Sequence, residues 1–165
     1  MKKRNLFVTI LVILVFAVFA MGSSEETTTN QGSGQAAVEA TVENNIGKYA
    51  VEIDSCRLAK DYEGDPVVIV KYLFTNVSDD NAVSFMFAFD DAVYQGGVGL
   101  NNAYVLKDSA KYSADNQTKE IKKGATIEVE VAYELNDSKT DVEVEVKELF
   151  SFDEKVITKT FTIAK

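Results

Sequence analysis

The chain has 165 residues, 46% of them hydrophobic, and carries 26 acidic against 17 basic side chains, for a formal charge of −9, with one cysteine and neither histidine nor tryptophan. Such a balance repels phosphate backbones and anionic headgroups, which makes nucleic-acid binding and peripheral membrane docking unfavourable. Without histidine the usual partner of a Ser or Cys nucleophile and the commonest zinc ligand are missing, and a single thiol forms no internal disulfide.

Lys2, Lys3 and Arg4 precede residues 6–21, which are apolar except for Thr9, the charged-then-apolar order of an export signal. The run falls short of the roughly 20 residues of a spanning helix, and small residues at Ala20 and Gly22 suit a signal peptidase. A signal peptide over residues 1–22, cut between Gly22 and Ser23, is the first expectation. A cut after Ala20 and an uncleaved N-terminal anchor are the alternatives. Ser23 stands where a lipoprotein would carry its acceptor cysteine, and a serine hydroxyl is a poor substitute for a thiolate, so no lipid attachment is expected. The leader holds three basic residues and no acid, so its removal takes the formal charge from −9 to −12.

Residues 23–45 are rich in Ser, Thr, Glu, Asn, Gln and Gly and have the composition of a flexible linker. From residue 46 to 165 apolar side chains recur with period two, the mark of half-buried strands. YAVEIDSCRL puts Val51 and Ile53 on one face, then slips a step before Cys56 and Leu58, as a bulged strand would. Cys56 is expected to be a buried, inert thiol. DYEGDP reads as a turn, and in VVIVKYLFTN the polar Lys71 directs Val68, Val70, Tyr72 and Phe74 inward. Phe85, Phe87 and Phe89 alternate with Met86 and Ala88 in the most apolar segment, predicting a strand at the centre of the core.

AVYQGGVGL predicts a tight hairpin through Gly96 and Gly97, whose backbones accept positive φ. Residues 101–119 read as irregular. TIEVEVAYEL then places Ile127, Val129, Val131, Tyr133 and Leu135 on one face and Glu128, Glu130 and Glu134 on the other. DVEVEVKEL repeats the device with Val142, Val144 and Val146, and KVITKTFTI closes with Ile157, Phe161 and Ile163. About seven strands without a helix predict an all-β, antiparallel immunoglobulin-like β-sandwich, with a closed barrel as the alternative.

In DYEGDPVVIVKYLFTN, VYQGGVGL and KKGATIEVEVAYEL the chain resembles a family of immunoglobulin-like domains of unknown function found in lipoproteins and secreted proteins of Gram-positive bacteria. The resemblance covers residues 49–163, and a remoter one in fold is to a small secreted mycobacterial immunoprotective antigen. It rests on Asp61, Tyr62, Gly64, Asn76, Tyr94, Gln95, Gly97, Leu100 and Gly124. Lys123 replaces a proline usual before that last glycine, and the lipid-acceptor cysteine is absent. The resemblance implies a fold and an extracytoplasmic location, secreted or tethered to the outer face of the membrane, and no activity. Physically, Asp61 can cap the turn that Gly64 completes, and Gln95 can bond backbone groups at the hairpin.

Candidate chemistry is sparse. Adjacent Asp90 and Asp91 on a strand point to opposite faces and cannot act as a carboxylate pair. Asp61, Glu63 and Asp65 could offer three oxygens to calcium but lack the twelve-residue loop, so a solvated turn is expected. Glu128, Glu130, Glu134, Glu143 and Glu145 read as a polar sheet face offset by Lys122, Lys123, Lys139 and Lys147. Tyr49, Tyr62, Tyr94, Tyr104 and Tyr112 could form a platform for sugars. Asn76, Asn116 and Asn136 each begin an Asn-x-Ser/Thr triplet and are read as turn residues.

The chain is therefore expected to be a monomeric, non-enzymatic module without cofactor or metal, binding a protein or cell-envelope component through loops or a sheet edge, with the membrane involved only through an uncleaved leader. A small-ligand or carbohydrate carrier would need a pocket between the sheets. A hydrolase would need two carboxylates from among Asp61, Asp65, Asp90 and Asp108 converging in a cleft.

Overall fold

The computed structural model describes residues 44–106, 111–152 and 154–163. The leader with Gly22 and Ser23, the linker up to residue 43, and Asp108 lie outside the described residues. In chain order the strands are β1 (Asn45–Ile46), β2 (Tyr49–Lys60), β3 (Pro66–Asn76), β4 (Phe89–Gln95), β5 (Val98–Gly99), β6 (Thr126–Glu134), β7 (Val142–Glu148) and β8 (Val156–Phe161). A one-turn helix α1 (Phe85–Ala88) precedes β4, and a short 3-10 turn occupies Ala114–Asn116.

The strands form two four-stranded antiparallel sheets, ordered β1-β2-β3-β6 and β5-β4-β7-β8. Lettering β2, β3, β4, β6, β7 and β8 as A, B, C, E, F and G gives A-B-E against C-F-G, the strand order of an immunoglobulin-type sandwich with no D strand among the described residues. The barrel alternative is not realised. Alternation explains the layers: Val129, Val131 and Tyr133 of β6 and Val142, Val144 and Val146 of β7 meet Val51, Ile53, Val68, Val70, Tyr72 and Phe74 in one buried cluster. Each such side chain contributes about 1.5–3 kcal/mol by leaving water.

The bulge expected in β2 falls between Ile53 and Ser55, where the pairing with β3 shifts register. Lys159 of β8 reaches across to this break and donates to the carbonyls of Ile53 at 2.7 Å and Asp54 at 2.8 Å. Cys56 packs partly against the core, and burial pushes its thiol pKa up, with Lys159 pulling the other way. Leu58, expected beside it in the interior, is instead 43% exposed, although its cross-strand partner Val68 is fully buried.

Three further expectations are corrected. Residues 85–89 are not a continuous strand. Phe87 and Ala88 donate their amides to the carbonyl of Ser84 at 3.1 and 3.0 Å, forming one helical turn. The turn buries Phe85 and Phe89 and leaves Phe87 69% exposed. In β3, Val67 and Ile69 are buried as well as Val68 and Val70. They form a second cluster with Ala132, Val105 and Tyr112, so the segment expected to be irregular covers the outer face of the first sheet. Finally, the glutamate face is not offset by the four expected lysines. Glu130 takes a bidentate pair from Arg57, and Lys71 bridges Asp54 at 2.8 Å and Glu128 at 3.8 Å, while Lys123 and Lys147 pair with Asp79 and Asp90.

Candidate functional site

The strand directions give the sandwich two ends. At the entry end the described chain begins, β3 finishes, α1 sits, and β7 turns into β8. There the Lys155 ammonium donates to the Asn45 carbonyl at 2.6 Å, and Gly47 lies against the Glu148 side chain. The distal end carries the β2–β3 turn, the β4–β5 hairpin and the β6–β7 loop.

Most residues singled out by the sequence gather at the distal end. Asp61 Oδ1 accepts the amides of Glu63, Gly64 and Asp65 at 2.9, 2.8 and 2.8 Å, so its main work is holding the turn. The carboxylates of Asp61, Glu63 and Asp65 lie within 4.8 Å of one another, largely exposed, and the amide bonds account for this loop without an ion. Tyr62 stacks edge to face on Tyr104 at 5.9 Å between ring centroids, and both rings are mostly exposed, at 57% and 70%. The other tyrosines do not join them. Tyr49 packs on Phe74 and Phe89, Tyr112 is buried, and Tyr94 contacts Gly99, so the five-tyrosine platform reduces to one pair.

Gly96 and Gly97 adopt φ of +60° and +80°, as the two-residue hairpin between β4 and β5 requires. Gln95 does not bond its own hairpin. It is buried, and it donates to the carbonyls of Asp137 and Thr140 at 3.0 and 2.8 Å while accepting the amides of Asn136 and Asp137 at 2.9 and 3.1 Å. Gly124 and Asn76 lie at the entry end, where the Gly124 amide donates to the Asn76 carbonyl at 2.7 Å. Asn76, expected in a turn, is instead the buried last residue of β3, and its side chain donates to the Ile121 carbonyl at 3.0 Å and accepts the Ser78 amide at 3.0 Å.

Asp90 and Asp91 do face opposite ways. Asp90 is exposed beside Lys147, whereas Asp91 points between the sheets and accepts a hydrogen bond from the Tyr133 hydroxyl. With that hydrogen spent, the Tyr72 hydroxyl, 3.3 Å away, donates to Tyr133. Burial is the main cause that pushes the Asp91 pKa up; the Tyr133 bond pulls it down, and neighbouring Asp90 adds a smaller upward push. Burial likewise drives both tyrosine pKa values upward, so the hydroxyls keep their protons. This chain was not legible beforehand, since a carboxylate on an inward strand position gives no signal until the strand's facing is known.

A raised carboxyl pKa has a definite sign. The folded state favours protonated Asp91, so its contribution is fully present below the unfolded value of about 4 and is lost as pH rises through the raised folded value. Relative to Asp91→Asn, which does not titrate, the wild type should lose stability as pH climbs from about 4, by at most about 1.4 kcal/mol per pH unit. Urea unfolding of both proteins across that range measures the difference, and a flat difference would show that Asp91 is not held as described.

The entry end presents bare hydrocarbon. Phe150 is 90% exposed and Phe152 fully so, with Phe87 and Met86 of α1 also in solvent. The Leu149 amide donates to the Ala88 carbonyl at 2.9 Å, which places this β7–β8 tip beside α1. Phe150 has φ of +61°, a left-handed conformation that costs a non-glycine residue about 1–2 kcal/mol. A hollow of about 390 Å³ beside the tip is lined by Leu149, Phe150 and Val156 together with the charged Asp90, Lys147, Glu148 and Glu154. Nothing in the sequence pattern marked Phe150 or Phe152, which fall outside the alternating runs.

The family model described as a domain of unknown function (DUF5067) matches residues 24–148. No curated protein matches the chain. Among solved structures the fold is similar to a candidate lipoprotein from Staphylococcus aureus subsp. aureus NCTC 8325, with a TM-score of 0.53 at 20% identity over 70% of this chain and 84% of that one. A candidate lipoprotein from Bacillus subtilis subsp. subtilis str. 168 gives 0.54 at 17% identity over 72% of this chain and 38% of the other. A protein from Enterococcus faecalis gives 0.52 at 22% identity, over 71% and 86%. At these identities the likeness concerns the fold.

Proposed function

The chain belongs to the DUF5067 family of domains of unknown function, and on that footing we propose that it is an extracytoplasmic, non-enzymatic interaction module that presents its distal end to a protein or wall component of the cell envelope. The compartment is supported by the basic-then-apolar leader and by structural neighbours described as candidate lipoproteins. The observation that carries the binding role is the exposed Tyr62–Tyr104 pair set among Asp61, Glu63 and Asp65. Paired tyrosines offer large, stiff area with a polar rim, the composition enriched where proteins bind partners. The described space between the sheets is filled by Tyr72, Phe74, Phe85 and the valines around them, which favours the surface over the interior as the binding place.

Two measurements test this. Protease added to cells stripped of their wall should degrade the protein while a cytoplasmic marker survives. The full chain and a Tyr62→Ala/Tyr104→Ala variant should differ by about tenfold or more in the amount of one envelope component they retain, the weight of a paired aromatic hot spot. Equal retention by both proteins overturns the assignment of the distal end.

A further inference from the structure

Charge complementarity gives the Tyr62–Tyr104 pair a partner of definite sign. The two rings meet edge to face at 5.9 Å and 73°, and both stay mostly in solvent, so neither is sealed by the fold. A cation over an aromatic face is attracted by the ring quadrupole, and an acid beside the ring adds to that attraction. We propose that the distal end docks a Lys- or Arg-bearing peptide segment of a protein partner, its cationic head held against Tyr62 and Tyr104 beside Asp61, Glu63, Asp65 and Glu134. The proposal rests on the distal-end reading and narrows its partner to a basic protein.

The sign comes from acids that the fold leaves uncompensated. Elsewhere in the same sheet Arg57 pairs with Glu130, and Lys71 pairs with Asp54 and Glu128. Among the described residues, Asp61, Glu63, Asp65 and Glu134 join no ion pair, and Lys60, the base next to them in the chain, makes none with them. Their hydrogen bonds come from neutral donors. Asp61 Oδ1 accepts turn amides, Glu134 accepts the Asn101 side-chain amide at 3.4 Å, and Glu63 accepts the Tyr62 hydroxyl. The Glu63 bond is the main cause that pushes the Tyr62 pKa up, with smaller pushes from desolvation, Asp61 and Glu134. Negative potential therefore converges on an exposed ring.

A lysine or arginine side chain matches this corner in shape as well as in charge. Its methylene stem can lie along a ring while its head reaches the carboxylates, and a guanidinium fork meets two carboxylate oxygens at once. Other envelope chemistries match it less well. Polymers that carry phosphate or carboxylate are repelled by these acids and by a chain of formal charge −9, and a neutral glycan gains nothing from the four charges. Because the site lies on the surface, its attraction is screened, so binding should weaken steadily as salt is added.

The test uses the full chain and probes of defined chemistry: an Arg/Gly peptide, its Glu/Gly and Ser/Gly counterparts, and an N-acetylglucosamine oligomer. NMR of the tyrosine rings reads where each probe binds, and anisotropy of labelled peptide reads affinity. The Arg/Gly peptide is expected to shift the Tyr62 and Tyr104 ring signals, and the other probes to leave them in place. Tyr62→Ala/Tyr104→Ala should weaken the Arg/Gly peptide about tenfold, whereas Tyr62→Phe/Tyr104→Phe, which keeps the rings and loses the hydroxyls, should change it by no more than about twofold. Glu63→Gln/Asp65→Asn should weaken it about fivefold, with Asp61 left intact because it holds the turn. Urea unfolding of each variant confirms that the fold is kept. Equal ring shifts from the Arg/Gly and Ser/Gly peptides, or no binding by any probe, overturn the proposal. Arg/Gly affinity unmoved by Tyr62→Ala/Tyr104→Ala overturns it in favour of general attraction to an acidic surface, and ring shifts from the oligomer alone overturn it in favour of a glycan. Retention of an envelope component that falls in Tyr62→Ala/Tyr104→Ala but not in Glu63→Gln/Asp65→Asn refutes the cationic partner and leaves the distal-end reading standing.

Discussion

Phe85→Ala is expected to cost about 3–5 kcal/mol of folding stability, whereas Phe87→Ala, two residues on, should leave stability within about 0.5 kcal/mol. Phe85 is 1% exposed, and its ring lies 5.0 Å from Tyr72, 5.4 Å from Phe89 and 6.1 Å from Phe74. Truncation opens a cavity among rings that belong to both sheets, and such a site collapses poorly because every neighbour is held by a strand. Phe87 points out of the same helical turn into solvent and has little packing to lose. Equilibrium unfolding in urea distinguishes the two, provided the slope is unchanged. If both substitutions proved equally costly, residues 85–89 would be a strand after all.

That pair of residues also shows where side-chain periodicity stops being decisive. The alternating valines of β6 and β7, the slip before Cys56 and the turn held by Asp61 are all written in local order, because a strand's facing repeats every two residues and a short Asp side chain bonds its own loop. A five-residue apolar run bounded by polar residues fits a strand and a single helical turn equally well. The run Val67–Val70 raises a related difficulty. Continuous apolarity signals burial on both faces, yet nothing local identifies Val105 and Tyr112 as the cover. Asp91 and Gln95 share the inward face of β4 with Phe89 and Val93, and their roles depend on which groups of other strands and loops the fold brings opposite them.

Ordering of the distal end follows from the same geometry. Asp61 ties the β2–β3 turn to itself, and the Tyr62 amide donates to the Tyr104 carbonyl at 3.4 Å, joining that turn to the segment covering the first sheet. On the other sheet, Gln95 ties the β6–β7 loop to the end of β4. The proposed binding end is thus fixed loop by loop through polar side chains, while the entry end is fixed by packed rings. Substitutions at the two ends should separate accordingly, with distal polar changes loosening loops and entry-end aromatic changes weakening the whole domain.

Gln95→Ala is the sharpest case of the first kind and should cost about 2–4 kcal/mol. Its amide satisfies four backbone groups in the β6–β7 loop, two carbonyls and two amides, at 2.8–3.1 Å from a side chain that is 3% exposed. Removing it leaves partners that water must reach or that stay unpaired, at about 1–3 kcal/mol for each group left buried. Water entering the loop recovers part of that loss, which sets the upper limit. Gln95→Glu separates hydrogen bonding from packing, since it fills the same volume but turns the two donated bonds into contacts between a carboxylate and carbonyls. At neutral pH it should be destabilised about as much as the alanine variant, and it should regain stability as pH falls and the carboxyl takes up a proton it can donate. Hydrogen exchange of the Asn136 and Asp137 amides, which bond Gln95 Oε1, should accelerate in Gln95→Ala more than in Gln95→Glu. Unchanged exchange in both would mean that the loop is held by its own turn bonds, among them the Asp137 carboxylate accepting the Lys139 and Thr140 amides at 2.7 Å, and not by Gln95.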